Sequence, residues 1–180
     1  MAHTHVIPHE QTAAGRLTSR VPMLKSGSTL ADLQALMWKS IQTFDTVRDT
    51  FIVDDKHHLL GTVASRTVFD KPLQTKVDDI MIPYDTVVKV YDTDDQELAV
   101  QTALHHAVES VAVVDHNKKF KGAISIKELM KILQQETQED LAAEGTYDMS
   151  PKLDSILEVS LIESFRSRAP WILIGVGAAL

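Results

Sequence analysis

The stretch that decides the fold occurs twice in the chain, as FIVDDKHHLLGTV at residues 51–63 and as AVVDHNKKFKGAI at residues 112–124. In both copies an apolar run ends in an aspartate, a polar turn follows, and a glycine lies in the second apolar run. Two short apolar runs joined by such a turn predict a β-hairpin. Because the pattern recurs, we expect a fold built from two equivalent units.

Each predicted hairpin is preceded by a predicted helix with its own start signal. Ser28 or Thr29 precedes the first helix, and Thr93 or Asp94 precedes its counterpart; such side chains cap helix N-termini. The unit is strand, helix, strand, strand, helix, and its repetition predicts an α+β fold of two pseudo-symmetric units packed against each other. The short helices that follow the hairpins are expected at residues 66–70 and 126–134.

The composition is that of a folded protein with few special chemical groups. The chain has 180 residues, of which 44% are hydrophobic, and it has no cysteine. Disulfide frameworks and thiolate metal sites are therefore excluded. A net charge of −7 repels phosphates, so we predict no nucleic-acid partner.

The pattern also predicts where the parts of the chain begin and end. After Arg166 and Arg168 the last twelve residues carry no charge, which is typical of a membrane helix, although a span needs about 20 residues. A C-terminal core helix is the alternative. The predicted parts are a disordered tail at 1–14, the two repeats at 15–72 and 73–135, an acidic linker and connecting helix at 136–168, and a truncated transmembrane segment at 169–180.

These features resemble a tandem pair of CBS domains, and more narrowly the cytosolic part of an MgtE-type magnesium transporter. The resemblance is carried by AGRLT at 14–18, DTDDQE at 92–97, QETQEDL at 135–141 and RSRAPW at 166–171. It implies a homodimer that senses Mg2+ and gates a membrane pore through a connecting helix. We expect the chain at the cytoplasmic face of the cell membrane, or as a soluble cytoplasmic protein if it ends at residue 180, because the pore itself is missing.

The resemblance implies a regulatory Mg2+ site on the helix after the second hairpin. On one continuous helix, Glu128, Glu136, Glu139 and Asp140 fall within about a third of the circumference. Mg2+ takes oxygen ligands and keeps several waters, which suits clustered carboxylates. The alternative is a solvated acidic face without an ion.

Two further points bear on that metal site. Asp92, Asp94, Asp95 and Glu97 form a second acidic group that could contribute ligands, but Asp94 and Asp95 also suit a helix N-terminus. Lys131 lies three residues after Glu128, where the family more often has acidic residues. We therefore expect either a weaker affinity for the ion or a Lys131 that neutralises Glu128 and substitutes in part for the cation.

The second candidate ligand is an adenine nucleotide, ATP or AMP, which paired CBS domains commonly bind. In such modules a serine and a carboxylate after the last strand hold the ribose, and GAISIKE at 122–128 offers Ser125 and Glu128 for these roles. The first repeat has Ala64 and Thr67 at the equivalent positions. At most one nucleotide site is expected, and Ser125 could instead cap the helix that begins at Ile126.

No pattern indicates catalysis. The pairs His57–His58 and His105–His106 lie in a predicted turn and on a predicted helix, and adjacent helical residues point about 100° apart. A phosphate loop, a nucleophile elbow and a zinc-protease motif are missing from the sequence. We predict that the chain is not an enzyme, and a dimerisation scaffold without a ligand is a third possible function.

Overall fold

The computed structural model describes residues 9–143, with side chains through residue 138. The α+β class is confirmed, and the second repeat has the predicted order of strand, helix, strand, strand, helix. In the first repeat a 3-10 segment takes the place of the helix expected at residues 66–70, because its five residues do not continue into an α-helix, and a further short strand follows. The helices are α1 (Ala13–Arg16), α2 (Leu30–Ser40), α3 (Gln96–His106) and α4 (Ile126–Ala143), and single 3-10 turns lie at His9–Gln11, Ile41–Thr43, Ser65–Phe69 and Val77–Asp79. The strands are β1 (Met23–Lys25), β2 (Asp49–Val53), β3 (Leu59–Ala64), β4 (Ile82–Pro83), β5 (Lys89–Tyr91), β6 (Ser110–Val114) and β7 (Phe120–Ser125).

The helix start signals are confirmed for one repeat and corrected for the other. Thr29 caps α2 and, with Asp32, forms a reciprocal pair of side-chain-to-backbone hydrogen bonds. The N-cap of α3 is Asp95, rather than Thr93 or Asp94 as predicted, and its carboxylate accepts a hydrogen bond from the backbone N–H of Glu97 at 2.9 Å.

The strands form two sheets with the same internal plan. Their orders are β1-β2-β3-β4 and β5-β6-β7. In each sheet the first strand runs parallel to the second, and the second and third form an antiparallel hairpin. Both hairpins change register at equivalent places, between Ile52 and Val53 and between Val113 and Val114. The sequence repeat is therefore a structural repeat down to the local backbone.

The two hairpin turns are equivalent as well. Asp54 accepts hydrogen bonds from two backbone N–H groups of its turn at 2.8 Å, and Asp115 does the same at 2.9 Å. His57 and Lys118 both adopt a left-handed backbone, with φ of 71° and 65°. The backbone hydrogen bonds favour the ionised carboxylates and lower the pKa of both aspartates.

The two turns contact each other, and the two repeats share a buried core. The backbone N–H of Leu59 donates to the carbonyl of Lys118, and that of Phe120 donates to the carbonyl of His57, both at 2.9 Å. The rings of Phe51 and Phe120 stack with centroids 4.5 Å apart. The buried cluster between the repeats comprises Val21, Phe51, Val53, Leu59, Val87, Ala112, Val114, Phe120 and Ala123.

Each sheet also packs on its own helices. The first repeat buries Leu30 and Leu33 of α2 against Ile52 and Val63. The second repeat has a separate cluster, to which α3 contributes Ala99, Val100 and Ala103, the sheet Val111, Val113 and Ile124, and α4 Leu129 and Ile132. Each sheet therefore has apolar side chains on both faces, which explains its near-continuous hydrophobic strands.

The segment before each repeat packs on the other repeat. Thr18, before β1, pairs with Ala123 of β7, and a Cβ at Gly122 would overlap the carbonyl oxygen of Thr18. Thr29 at the start of α2 pairs with Lys76, which precedes β5. Contacts thus cross the limit expected near residue 72, and the domain limits stay a prediction.

The disordered tail expected at residues 1–14 is wrong for residues 9–14, which are folded. From His9 onward the chain is folded, and Ala13 is fully buried with its N–H donating to the carbonyl of Asp94 at 2.8 Å. Within residues 9–143, no helix combines the length and apolar character needed to cross a membrane. The rest of the predicted connecting helix and the segment at 169–180 lie outside the described residues.

The ring stack between the repeats gives a stability prediction. Phe51 is 2% exposed and Phe69 is 90% exposed. Phe51→Ala should lower the free energy of unfolding by about 3–5 kcal/mol, since it opens a cavity in the shared core. Phe69→Ala should change it by less than about 0.5 kcal/mol. Urea unfolding of both variants checks this, and equal losses would contradict the shared core.

Candidate regulatory site

A cleft of about 330 Å3 lies between residues 15–20 and the first turn of α4. Its walls carry more positive than negative side chains: Arg16, Arg20, Lys127 and Lys131 against Asp45 and Glu128. Gly15, Leu17, Thr18 and Ser125 complete the lining. Such a charge balance suits an anionic ligand.

The two residues predicted to hold a ribose lie in the walls of this cleft. Ser125 ends β7 and is 7% exposed, and Glu128 lies in the first turn of α4. The carboxylate of Glu128 already has two protein partners, Lys131 Nζ at 2.8 Å and Arg16 Nη1 at 3.4 Å. The pairing of Lys131 with Glu128 that the sequence suggested is present.

A second carboxylate on the cleft, Asp45, is also paired. Arg20 donates to it through Nε at 3.0 Å and Nη2 at 2.5 Å, and the hydroxyl of Thr18 donates at 2.5 Å. The hydrogen bonds from Arg20 and then from Thr18 lower the pKa of Asp45. Because Asp45 and Arg20 are 25 positions apart, sequence spacing could not reveal this pair.

Next to the cleft a network of side chains joins α1, α3 and α4. The Nε of Arg16 donates to Gln96 Oε1 at 2.7 Å, and its Nη2 donates to Gln135 Oε1 at 2.8 Å. Gln96 is 3% exposed and donates through Nε2 to Glu136 Oε1 at 2.5 Å. We refer to Arg16, Gln96, Glu128, Gln135 and Glu136 as the α4 clamp. Arg16 belongs to the AGRLT stretch at 14–18, and nothing in that local pattern indicates its partners on α3 and α4.

The α4 residues predicted as metal ligands are thus engaged by protein donors. Glu128 contacts Arg16 and Lys131, and Glu136 accepts from Gln96. The side chains of Glu139 and Asp140 lie outside the described part of the chain. Among the side chains that are described, no three histidines or acids converge to hold a metal ion. In this arrangement the described residues do not fit a Mg2+ site.

The second predicted acidic group is divided between two structural roles. Asp95 is the N-cap of α3. Asp92 Oδ2 lies 4.0 Å from Lys121 Nζ, which is also 3.2 Å from Asp115 Oδ2. The structure places an ammonium group between Asp92 and Asp115 and uses Asp95 for the helix.

Comparison with known proteins agrees with this fold. Residues 77–135 match the model of the CBS domain family. The chain is 24% identical over 165 residues to the magnesium transporter MgtE of Thermus thermophilus, an alignment that covers 92% of this chain and 36% of that protein.

Two solved structures have the same fold over most of the described residues. The soluble part of a magnesium transporter has a TM-score of 0.67 at 21% identity, over 73% of this chain and 50% of the other. The cytosolic domain of the Mg2+ channel MgtE in complex with ATP has a TM-score of 0.65 at 23% identity, over 68% and 49%.

The described residues have the fold of a CBS domain pair, and residues 77–135 match the CBS domain family. Within that class it is similar to the cytosolic region of MgtE-type magnesium transporters, and the resemblance expected from the sequence is confirmed. The chain spans about a third of the length of the curated relatives it matches, 36% and 35%. The expectation that it is not an enzyme stays a prediction.

The buried glutamine of the α4 clamp gives a prediction that needs no ligand. Gln96→Leu should lower the free energy of unfolding by about 1–3 kcal/mol, since the Nε of Arg16 loses its acceptor and Oε1 of Glu136 loses its donor. Gln101→Leu, at an exposed position of the same helix, should change it by less than about 0.5 kcal/mol. Chemical denaturation measures the free energy of unfolding of both variants. An unchanged value for Gln96→Leu would show that the α4 clamp does not stabilise the fold.

Proposed function

We propose that the chain is the regulatory CBS module of an MgtE-like magnesium transporter. The observation that carries this proposal is the extent of the similarity, which covers 92% of the chain and includes the region that forms α4. A helix at the C-terminal end of a regulatory domain can transmit a conformational change of that domain to the domain that follows. On this proposal α4 leads from the second CBS domain toward a transport domain, at the cytoplasmic face of the cell membrane.

We propose further that the module works as a homodimer joined through its CBS domains. Support comes from large apolar side chains on the outer faces of the second repeat's helices. Leu98 and Leu104 of α3 and Ile126, Met130 and Leu133 of α4 are 36–60% exposed. Apolar surface of this kind on neighbouring helices suits burial against a second copy.

The proposed signal is Mg2+, acting on the carboxylates of α4. When bound, the ion supplies positive charge and ordered waters to an acidic surface. Glu136 with Glu139 and Asp140, and Glu128 once its protein partners are displaced, would be its contacts. Asp92 and Asp95 are the further proposed contacts. Asp92 would first have to separate from Lys121, and Asp95 would have to give up its role as the N-cap of α3. Since like charges repel, these side chains favour one arrangement without the ion and another with it.

The Mg2+ proposal predicts a stability change that depends on three carboxylates. Millimolar Mg2+ should raise the midpoint of thermal unfolding of the full chain, since a ligand that binds only the folded state stabilises it. The triple variant Glu136→Gln, Glu139→Gln, Asp140→Asn should lose this response. The triple variant Asp70→Asn, Asp79→Asn, Asp85→Asn changes net charge equally at exposed positions and should keep it. A response lost in both variants, or in neither, contradicts the assignment.

The second candidate function is adenine-nucleotide binding in the cleft. It is favoured because Ser125 and Glu128 line one cleft together with four basic side chains. The hydroxyl and carboxylate would hold the ribose, and the basic groups would face the phosphates. One structural neighbour was solved with ATP, which supports testing the same ligand here.

Nucleotide binding is tested without metal. At a ligand concentration about 100 times the dissociation constant, ATP or AMP should raise the free energy of unfolding by about 2.7 kcal/mol. Ser125→Ala should remove the gain, whereas Ser110→Ala, opposite Ser125 on β6 and equally buried, should retain it. If neither Mg2+ nor nucleotide alters stability, the remaining function is a dimerisation scaffold without a ligand.

A further inference from the structure

We propose that Arg16 couples the cleft to α4, so that a phosphate-bearing ligand in the cleft and the hydrogen bonds that hold α4 stabilise each other. This inference rests on the proposed nucleotide function and adds to it a path by which the ligand acts on α4. Arg16 lines the cleft and also belongs to the α4 clamp. On α4 it contacts Glu128, which lines the cleft, and Gln135, which does not.

The guanidinium of Arg16 contacts two separate places on α4. Glu128 and Gln135 are seven positions apart, which on an α-helix corresponds to about two turns. Arg16 Nη1 lies 3.4 Å from Glu128 Oε1, and Nη2 donates to Gln135 Oε1 at 2.8 Å. The third contact, from Nε to Gln96 Oε1 at 2.7 Å, is on α3. One side chain therefore joins two turns of α4 to each other and to the neighbouring helix.

These contacts leave the cleft residues with capacity for a ligand. A guanidinium has five N–H donors, and a carboxylate has about four acceptor positions. Arg16 uses three donors on Gln96, Glu128 and Gln135, which leaves one N–H on each terminal nitrogen for phosphate oxygens. Glu128 has two partners, Arg16 and Lys131, and so keeps acceptor positions for a ribose hydroxyl. A nucleotide can thus bind without displacing any contact of the α4 clamp.

The α4 clamp also fixes the guanidinium before a ligand arrives. The side chain of Arg16 is 20% exposed, and Gln96, which accepts from its Nε, is 3% exposed. The backbone nearby is held as well, because Thr18 is paired with Ala123 in both directions at 2.9 and 3.0 Å. A donor that is already held loses less conformational entropy when it binds a ligand, and this increases the affinity.

Such a coupling acts in both directions. If the hydrogen bond between Arg16 and Gln135 raises the affinity of the cleft for phosphate, phosphate in the cleft strengthens that hydrogen bond by the same factor. An exposed hydrogen bond of this kind contributes a factor of about two to ten to an equilibrium constant. Because Gln135 lies on α4, ligand binding should slow the local opening of this helix.

The test compares two neighbouring glutamines of α4 in the full chain. Gln135→Ala removes an acceptor of Arg16, whereas Gln134→Ala removes an amide that is also exposed but points about 100° away on the helix. In calorimetric titration with ATP, the dissociation constant should be about two- to tenfold higher for Gln135→Ala and unchanged for Gln134→Ala. Adenosine, which has no phosphate, should bind all three proteins with one affinity.

Amide hydrogen exchange of residues 130–138 measures the opposite direction. In the wild type and in Gln134→Ala, saturating ATP should slow this exchange, and adenosine should leave it unchanged. Gln135→Ala should show little or no slowing with ATP. Pyrophosphate is the third ligand. Slowing by pyrophosphate equal to that by ATP supports the coupling and makes phosphate alone sufficient, whereas slowing by ATP alone supports the coupling with a nucleotide as the ligand.

The outcomes separate this inference from the function on which it rests. If ATP binds all three proteins equally and leaves the exchange of α4 unchanged, the coupling is wrong and the nucleotide function stands. If ATP does not bind the wild type, both fail. A Gln135→Ala variant that loses affinity for ATP and adenosine alike has a general defect of the fold, and this result also overturns the coupling.

Discussion

The structure depends on the apolar core that the two repeats share. Phe51 from one repeat stacks on Phe120 from the other, and both sheets contribute to the buried cluster around them. A small sheet covered by helices on one face leaves its other face apolar, and the second repeat supplies the cover. The two hairpin turns then lie close enough to exchange backbone hydrogen bonds.

This constraint explains where the polar site forms. Because each leading segment packs on the opposite repeat, residues 13–18 are fixed against β7 and α3 rather than against the strand that follows them. Arg16 is thereby brought to α4, more than 100 positions later in the chain. The cleft and the α4 clamp share Arg16 and Glu128, so a ligand in the cleft would contact the same side chains that hold the helix.

Hairpins, turns and close side-chain pairs could be predicted from the sequence, because neighbouring residues determine them. Hydrogen bonds between polar residues far apart in the chain could not. Apolar runs, turn aspartates and a glycine in the second run identified both hairpins, and i,i+3 spacing identified the pair Glu128 and Lys131. Hydrogen bonds between Arg16 and Gln96, 80 positions apart, leave no local trace. The same limit applies to residues 9–14. Their short helical turns are stabilised by backbone hydrogen bonds to residues 92–94, and local helix propensity cannot predict such contacts.

For the candidate site, the sequence predicted residue types but not their partners. Ser125 and Glu128 were chosen from one short motif and do line one cleft. The acidic residues of α4 were identified as a group, yet those with described side chains are satisfied by Arg16, Lys131 and Gln96. Whether a carboxylate is available to an ion depends on its donors in three dimensions, and a charge count cannot supply that information.

The most direct test of this account observes the Arg16 guanidinium itself. Nitrogen NMR of the full chain, with arginine side chains labelled and Arg16 assigned by substitution, reports on the Nε–H that donates to Gln96. In the folded chain this proton should be protected from exchange with water, and Gln96→Leu, which removes its acceptor, should remove the protection. A signal that exchanges freely in the wild type, or that stays protected in Gln96→Leu, would contradict the account.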